Sequence, residues 1–161
     1  MKPTRTLMLA AGLAAASLMV AWDASAQELK LPEGKIAIHY HRTDGSYDGW
    51  GLHTWESFQL KEEAADEWAE KKETDRPLKG VTWFAPMKPT GKDDFGLYWV
   101  IDASEFGNGR VNYIIHKGDK KEQSNQDKFF LIKDTREAWV ISGDNNVYKT
   151  KEEALKSPKN K

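Results

Sequence analysis

The run Ile36 to His41 alternates Ile36, Ile38 and Tyr40 with Ala37, His39 and His41, the period of two expected of a strand that buries one face. Thr43-Asp44-Gly45-Ser46 and Asp48-Gly49 supply turn residues, and a second extended run follows through Trp55. Alternation along that run puts His53 and Trp55 on one face and Leu52 on the other. Trp50, on the opposite parity and beside the turn, reads as core. From Ser57 to Thr74 the period changes: Leu60, Ala64 and Trp68 recur every fourth residue among acids and lysines. This predicts one helix over 57–74 with a narrow apolar stripe, aided by Glu67 four residues before Lys71 and ended by Asp75-Arg76-Pro77. Such a helix either packs Trp68 over a sheet edge or offers a docking surface or a lid.

Shorter runs follow. Val81 to Pro86 reads as a strand stopped by proline. Phe95 to Ile101 reads as a strand with Phe95, Leu97, Trp99 and Ile101 on one side, and Val111–His116, Phe129–Ile132 and Ala138–Ser142 complete the set. Several short strands separated by turn signals define an all-β sandwich.

The ends modify this picture. Lys2 and Arg5 precede an apolar stretch from Leu7 to Val20, and Ala24-Ser25-Ala26 is a small-x-small cleavage site, so residues 1–26 read as an export signal. The apolar stretch falls short of the roughly 20 residues that span a bilayer. The expected product is exported, periplasmic or secreted, with no membrane attachment after cleavage. Residues 149–161 are lysine-rich and expected to form a frayed, charged C-terminal tail. With 24 basic against 25 acidic residues, no electrostatic case exists for a nucleic acid partner. The chain has no cysteine, so neither a disulfide nor a lipid-modified cysteine is available.

Several motifs occur together in order. They are Y-H-R-T-D-G-S-Y-D-G-W-G-L-H-T-W (Tyr40 to Trp55), D-D-F-G (Asp93 to Gly96), I-I-H-K-G-D (Ile114 to Asp119) with Lys121 and Asp127 after it, and E-A-W-V-I-S-G-D (Glu137 to Asp144) before Val147-Tyr148. Over residues 35–148 the chain resembles the starch-binding modules at the front of bacterial pullulanases, the pullulanase-associated domain. The resemblance implies an immunoglobulin-like antiparallel β-sandwich, with the 57–74 helix as an insertion. It also implies non-catalytic binding of α-glucans: maltooligosaccharides, amylopectin, glycogen or pullulan. In the pullulanases further domains follow such a module, whereas this sequence stops, which leads to the expectation of a free-standing exported protein.

The candidate chemistry is a sugar platform. Aromatic faces stack on the C–H faces of pyranose rings, and two rings at an angle each meet one glucose of a curved α-1,4-linked chain. His53 and Trp55 occupy the positions that the resemblance assigns to this platform; alternation by itself leaves Trp55 equally open to a core role. Where the family often has tryptophan, His53 has a smaller ring that stacks less strongly and titrates. The resemblance assigns Lys121 and Asp127 to hydrogen bonds with glucose hydroxyls, a sensible use of a charged donor and acceptor. The loop between them is one residue longer than the family pattern.

Alternatives stay open at this stage. One is a periplasmic protein-interaction module that has kept the sandwich and lost sugar affinity, meeting a separate exported protein through the 57–74 helix. Another is a metal site, if His39, His41, His53 and His116 converge; without a third ligand at motif spacing no metal is assigned. No nucleophile elbow, phosphate loop or zinc-hydrolase motif occurs, so neither an enzyme nor a cofactor is expected.

Overall fold

The computed structural model describes residues 29–57, 75–123 and 126–160. The expected export signal lies outside them, as does the expected 57–74 helix apart from Ser57, which ends a strand. Among the described residues the strands are β1 (Lys35–His41), β2 (Gly51–Ser57), β3 (Asp75–Pro77), β4 (Gly91–Lys92), β5 (Leu97–Asp102), β6 (Arg110–Lys117), β7 (Lys120–Lys121), β8 (Lys128–Leu131) and β9 (Glu137–Ile141). A short helix, α1 (Lys151–Leu155), follows them.

The strands form two sheets. One has the order β4-β5-β1-β9; the other has the order β3-β2-β6-β7, with β8 also paired to β6. Among these strands all ladders are antiparallel except β1 with β9, which run parallel. Alternation delivers one face of each central strand to the interior. Ile36, Ile38 and Tyr40 of β1 and Leu97, Trp99 and Ile101 of β5 meet Leu52 of β2 and Val111, Tyr113 and Ile115 of β6, with Trp50 in the same cluster. This is the all-β sandwich that the strand pattern predicts.

Four local expectations change. β1 buries both faces, because its outer side is covered as well: His39 is fully buried and stacks flat on Trp139, ring centroids 3.6 Å apart. Phe95 does not join Leu97, Trp99 and Ile101. The Asp93 carboxylate accepts hydrogen bonds from the N–H groups of Phe95 (2.9 Å) and Gly96 (3.0 Å), and this turn breaks the alternation before β5 begins. Phe95 therefore packs on the outer side with Trp139, Ile141 and Ala154. Residues 81–86 are no strand; Thr82 and Ala85 exchange backbone hydrogen bonds of 3.1 and 3.2 Å, which closes a two-residue turn.

The fourth change concerns the tail, which does not fray over its described residues. The Thr150 hydroxyl caps α1 by accepting from the N–H of Glu153, the S/T-x-x-E signature of a helix start. Ala154 is fully buried against the outer face of the first sheet, and the Ser157 hydroxyl donates to the Asp144 carboxylate. Burial raises the pKa of Asp144, but hydrogen bonds from Ser157, Asn146 and Tyr148 outweigh it and hold the carboxyl below its usual range. The resulting stability is present above the unfolded carboxyl's pKa of about 3.9 and is lost as pH falls through the depressed folded value. Ser157→Ala should cost about 2 kcal/mol in urea denaturation, the usual worth of a hydrogen bond to a charged group.

Candidate functional site

The outer face of the second sheet carries the residues singled out in the sequence. β2 presents His53 and Trp55; the facing register of β6 places Ile114 opposite His53 and Asn112 opposite Trp55. On the other flank Pro77 of β3 stands opposite Trp55. Lys121 comes from β7, and Asp127 from the segment leading into β8. His53, Trp55, Lys121 and Asp127 line one shallow depression of about 270 Å³, together with Pro77, Trp83 and Ile114. The four residues thus come together from segments far apart in the chain.

The rings are not arranged as an open pair. His53 and Trp55 lie 5.4 Å apart, tilted by 37°, but Trp55 is only 8% exposed. Its cross-strand neighbours Pro77 and Asn112 flank it, so Trp55 forms the floor of the depression rather than a raised platform. The role of a raised ring falls to Trp83, in a segment that the sequence pattern assigns to a strand. Trp83 stands at the tip of the Thr82–Ala85 turn and lies flat on His116, centroids 4.0 Å apart at 6°. Its indole N–H donates to the Asp119 carboxylate (3.2 Å), and its ring is 5.9 Å from that of His53. Trp83 and Phe84 are poor turn formers, so the composition of the segment conceals this turn in the sequence.

Charge is placed at the rim. The Lys121 ammonium lies 3.6 Å from the Asp127 carboxylate and 5.4 Å from the Trp83 ring centroid. Both side chains keep substantial exposure, 30% and 61%, so their pairing adds little to stability and leaves donors and acceptor available to a ligand. His53 is held below the ordinary histidine pKa, first by burial and then by neighbouring His116, with Lys121 adding to the effect. The Thr82 backbone and Asp127 oppose it. Beneath Trp83, His116 Nδ1 donates to the Gly118 carbonyl (2.8 Å), which fixes the orientation of the ring under the indole.

The histidines do not converge. His39 and His41 belong to the outer side of the first sheet, where His39 Nε2 meets Glu137 at 3.0 Å and His41 Nδ1 donates to the Phe95 carbonyl at 2.5 Å. His53 and His116 lie on the outer face of the other sheet, 6.4 Å apart. Among the described residues no group of three or more His, Cys, Asp or Glu side chains is placed to hold a metal ion. Nor is any helix among them long and apolar enough to cross a membrane.

The described residues thus form a two-sheet β-sandwich module with an aromatic depression on one outer face. The family model described as bacterial pullanase-associated domain matches residues 34–149, and the chain belongs to that family. A curated relative, an α-amylase of Streptomyces lividans, is 34% identical over 88 residues, covering 55% of this chain and 7% of that protein's length. Among solved structures, a Klebsiella pneumoniae pullulanase complexed with maltotriose matches with a TM-score of 0.58 at 22% identity, over 81% of this chain and 12% of the pullulanase. A streptococcal structure described as α-glucan recognition by family 41 carbohydrate-binding modules matches at 0.53 and 21% identity, over 74% of this chain and 49% of that one. At these identities the solved structures share the fold.

Proposed function

We propose that this protein binds α-glucans, without cleaving them, in the depression formed by His53, Trp55, Trp83, Lys121 and Asp127. The observation that supports it most is the convergence of aromatic rings with an exposed ammonium–carboxylate pair on one sheet face. Apolar ring faces match the C–H faces of glucose, and the charged pair matches its fans of hydroxyls. The family and the α-glucan and maltotriose named for the structural relatives point the same way. The carboxylates support binding without hydrolysis. Among the described residues Asp127 is the one acid that lines the depression, whereas glycoside cleavage uses two carboxyls opposed across the bond. Maltooligosaccharides, amylopectin, glycogen and pullulan are the proposed ligands, and export through residues 1–26 would bring the module to such polymers outside the cytoplasm.

The test is mobility in native gels cast with glycogen, amylopectin or pullulan. The wild type should be retarded, and Lys121→Ala, which leaves the core intact, should weaken binding about tenfold or more through loss of charge-assisted hydrogen bonds. A folded wild type that no α-glucan retards would overturn the reading.

His53 adds a pH dependence. Its folded pKa lies below the unfolded value near 6.5, so above pH 6.5 the ring is neutral in both states. As pH falls below 6.5 the unfolded chain takes up the proton first, and stability declines until the folded ring also protonates. Stacking fails with it, because an imidazolium loses the negative ring face that attracts C–H groups. Retardation should therefore hold from about pH 8 to 6.5 and fall on acidification, whereas His53→Phe should keep it.

A further inference from the structure

A second hollow lies on the other side of the turn that carries Trp83. It is a cleft of about 1100 Å³, walled by Tyr47, Trp50, Phe84, Pro86, Lys88 and Lys92. The wall at Pro86 and Met87 is pinned to the two sheets. Leu52 and Met87 exchange backbone hydrogen bonds of 3.0 and 2.8 Å, and the Trp99 indole N–H donates to the same Met87 carbonyl (2.9 Å). Pro86 packs so closely on β2 that a Cβ on Gly51 would sit 2.7 Å from its ring. Preformed, partly apolar concavities with a few polar groups are the usual form of a ligand site.

Phe84 is the notable wall. It is 94% exposed, and with Trp83 it occupies the two central positions of the closed Thr82–Ala85 turn. Turn chemistry favours small or polar residues at such positions, and a local rule broken without structural gain marks a functional site. Trp83 faces the first depression and Phe84 the cleft, although their Cα atoms are only about 3.8 Å apart. The two hollows also share a polar pattern. The Lys92 ammonium stands 4.7 Å over the Tyr47 ring, as Lys121 stands near Trp83.

We propose that the Trp83–Phe84 turn carries one α-glucan chain across its tip, so that a chain held in the first depression continues onto Phe84 and into the cleft beside Tyr47 and Lys92. The site then has two halves and selects for chain length. The proposal rests on the reading of the first depression as an α-glucan site, and the experiment separates the two. Isothermal titration with maltotriose and with maltoheptaose should show that Phe84→Ala leaves maltotriose affinity within about twofold while weakening maltoheptaose about tenfold, one aromatic stacking contact. Phe84→Trp should restore or raise maltoheptaose affinity. Lys121→Ala should weaken both sugars alike. A Phe84→Ala protein that binds both sugars as the wild type does, or loses both equally, would overturn the proposal while leaving the first site standing. A wild type that binds neither sugar would overturn both readings.

Discussion

Trp83→Ala should weaken α-glucan binding about 30-fold or more while the protein stays folded. The indole is held on two sides. One face lies on His116, and the N–H is anchored to Asp119, so the ring is immobilised before a ligand arrives. A preorganised aromatic loses little freedom on binding, and such residues are the ones that cost about 2 kcal/mol or more when truncated. Its structural contribution is smaller. Trp83 is half-buried on an outer sheet face, away from the interior cluster, and its stack on His116 is worth about 1 kcal/mol. Trp55→Ala would be a poorer probe: Trp55 is nearly buried, so its removal mixes a cavity with the loss of a contact. Native-gel retardation measured beside circular dichroism separates the two effects. Full retardation by a folded Trp83→Ala protein would remove this ring from the site.

The contrast between these tryptophans shows where the sequence is legible. Alternation is a local property, so the shared face of His53 and Trp55, and the core positions of Leu52 and Trp50, follow from β2 and its flank alone. Whether a residue on an outer face stays open depends on what lies across it. Pro77 and Asn112 come from strands distant in sequence, and nothing in β2 announces them. Trp83 escapes the pattern for a related reason: Val81 to Ala85 has strand-like composition, but the Leu52–Met87 bridge pins the chain just beyond it and the turn closes instead. Lys121 and Asp127 are visible through family resemblance rather than periodicity, since a charged loop has no pattern to read. The C-terminal helix does carry a signal, Thr150 with Glu153, which the surrounding lysines obscure.

The largest expected loss of stability comes from the space of a single methyl group. At Gly96 a Cβ would lie 2.2 Å from the Tyr40 carbonyl oxygen and 2.8 Å from the Tyr47 hydroxyl. The first of these belongs to the backbone of β1, which is paired on both sides, to β5 and to β9, and cannot retreat without breaking ladders. Relief by moving Gly96 instead would disturb the Asp93 turn, which sends Phe95 to the outer side and Leu97 to the interior. Gly96→Ala should therefore cost about 3 kcal/mol or more, at or beyond the upper end for overpacking. For a domain of this size that lowers Tm by about 10 °C or more. Gly80→Ala is the control. Gly80 has a positive φ of +81° but nothing within 4 Å of its would-be Cβ, so it should lose only the roughly 1–2 kcal/mol of a left-handed residue. Equal Tm values for the two variants would mean that β1 yields to the methyl group, and that the D-D-F-G turn is not what holds the first sheet in register.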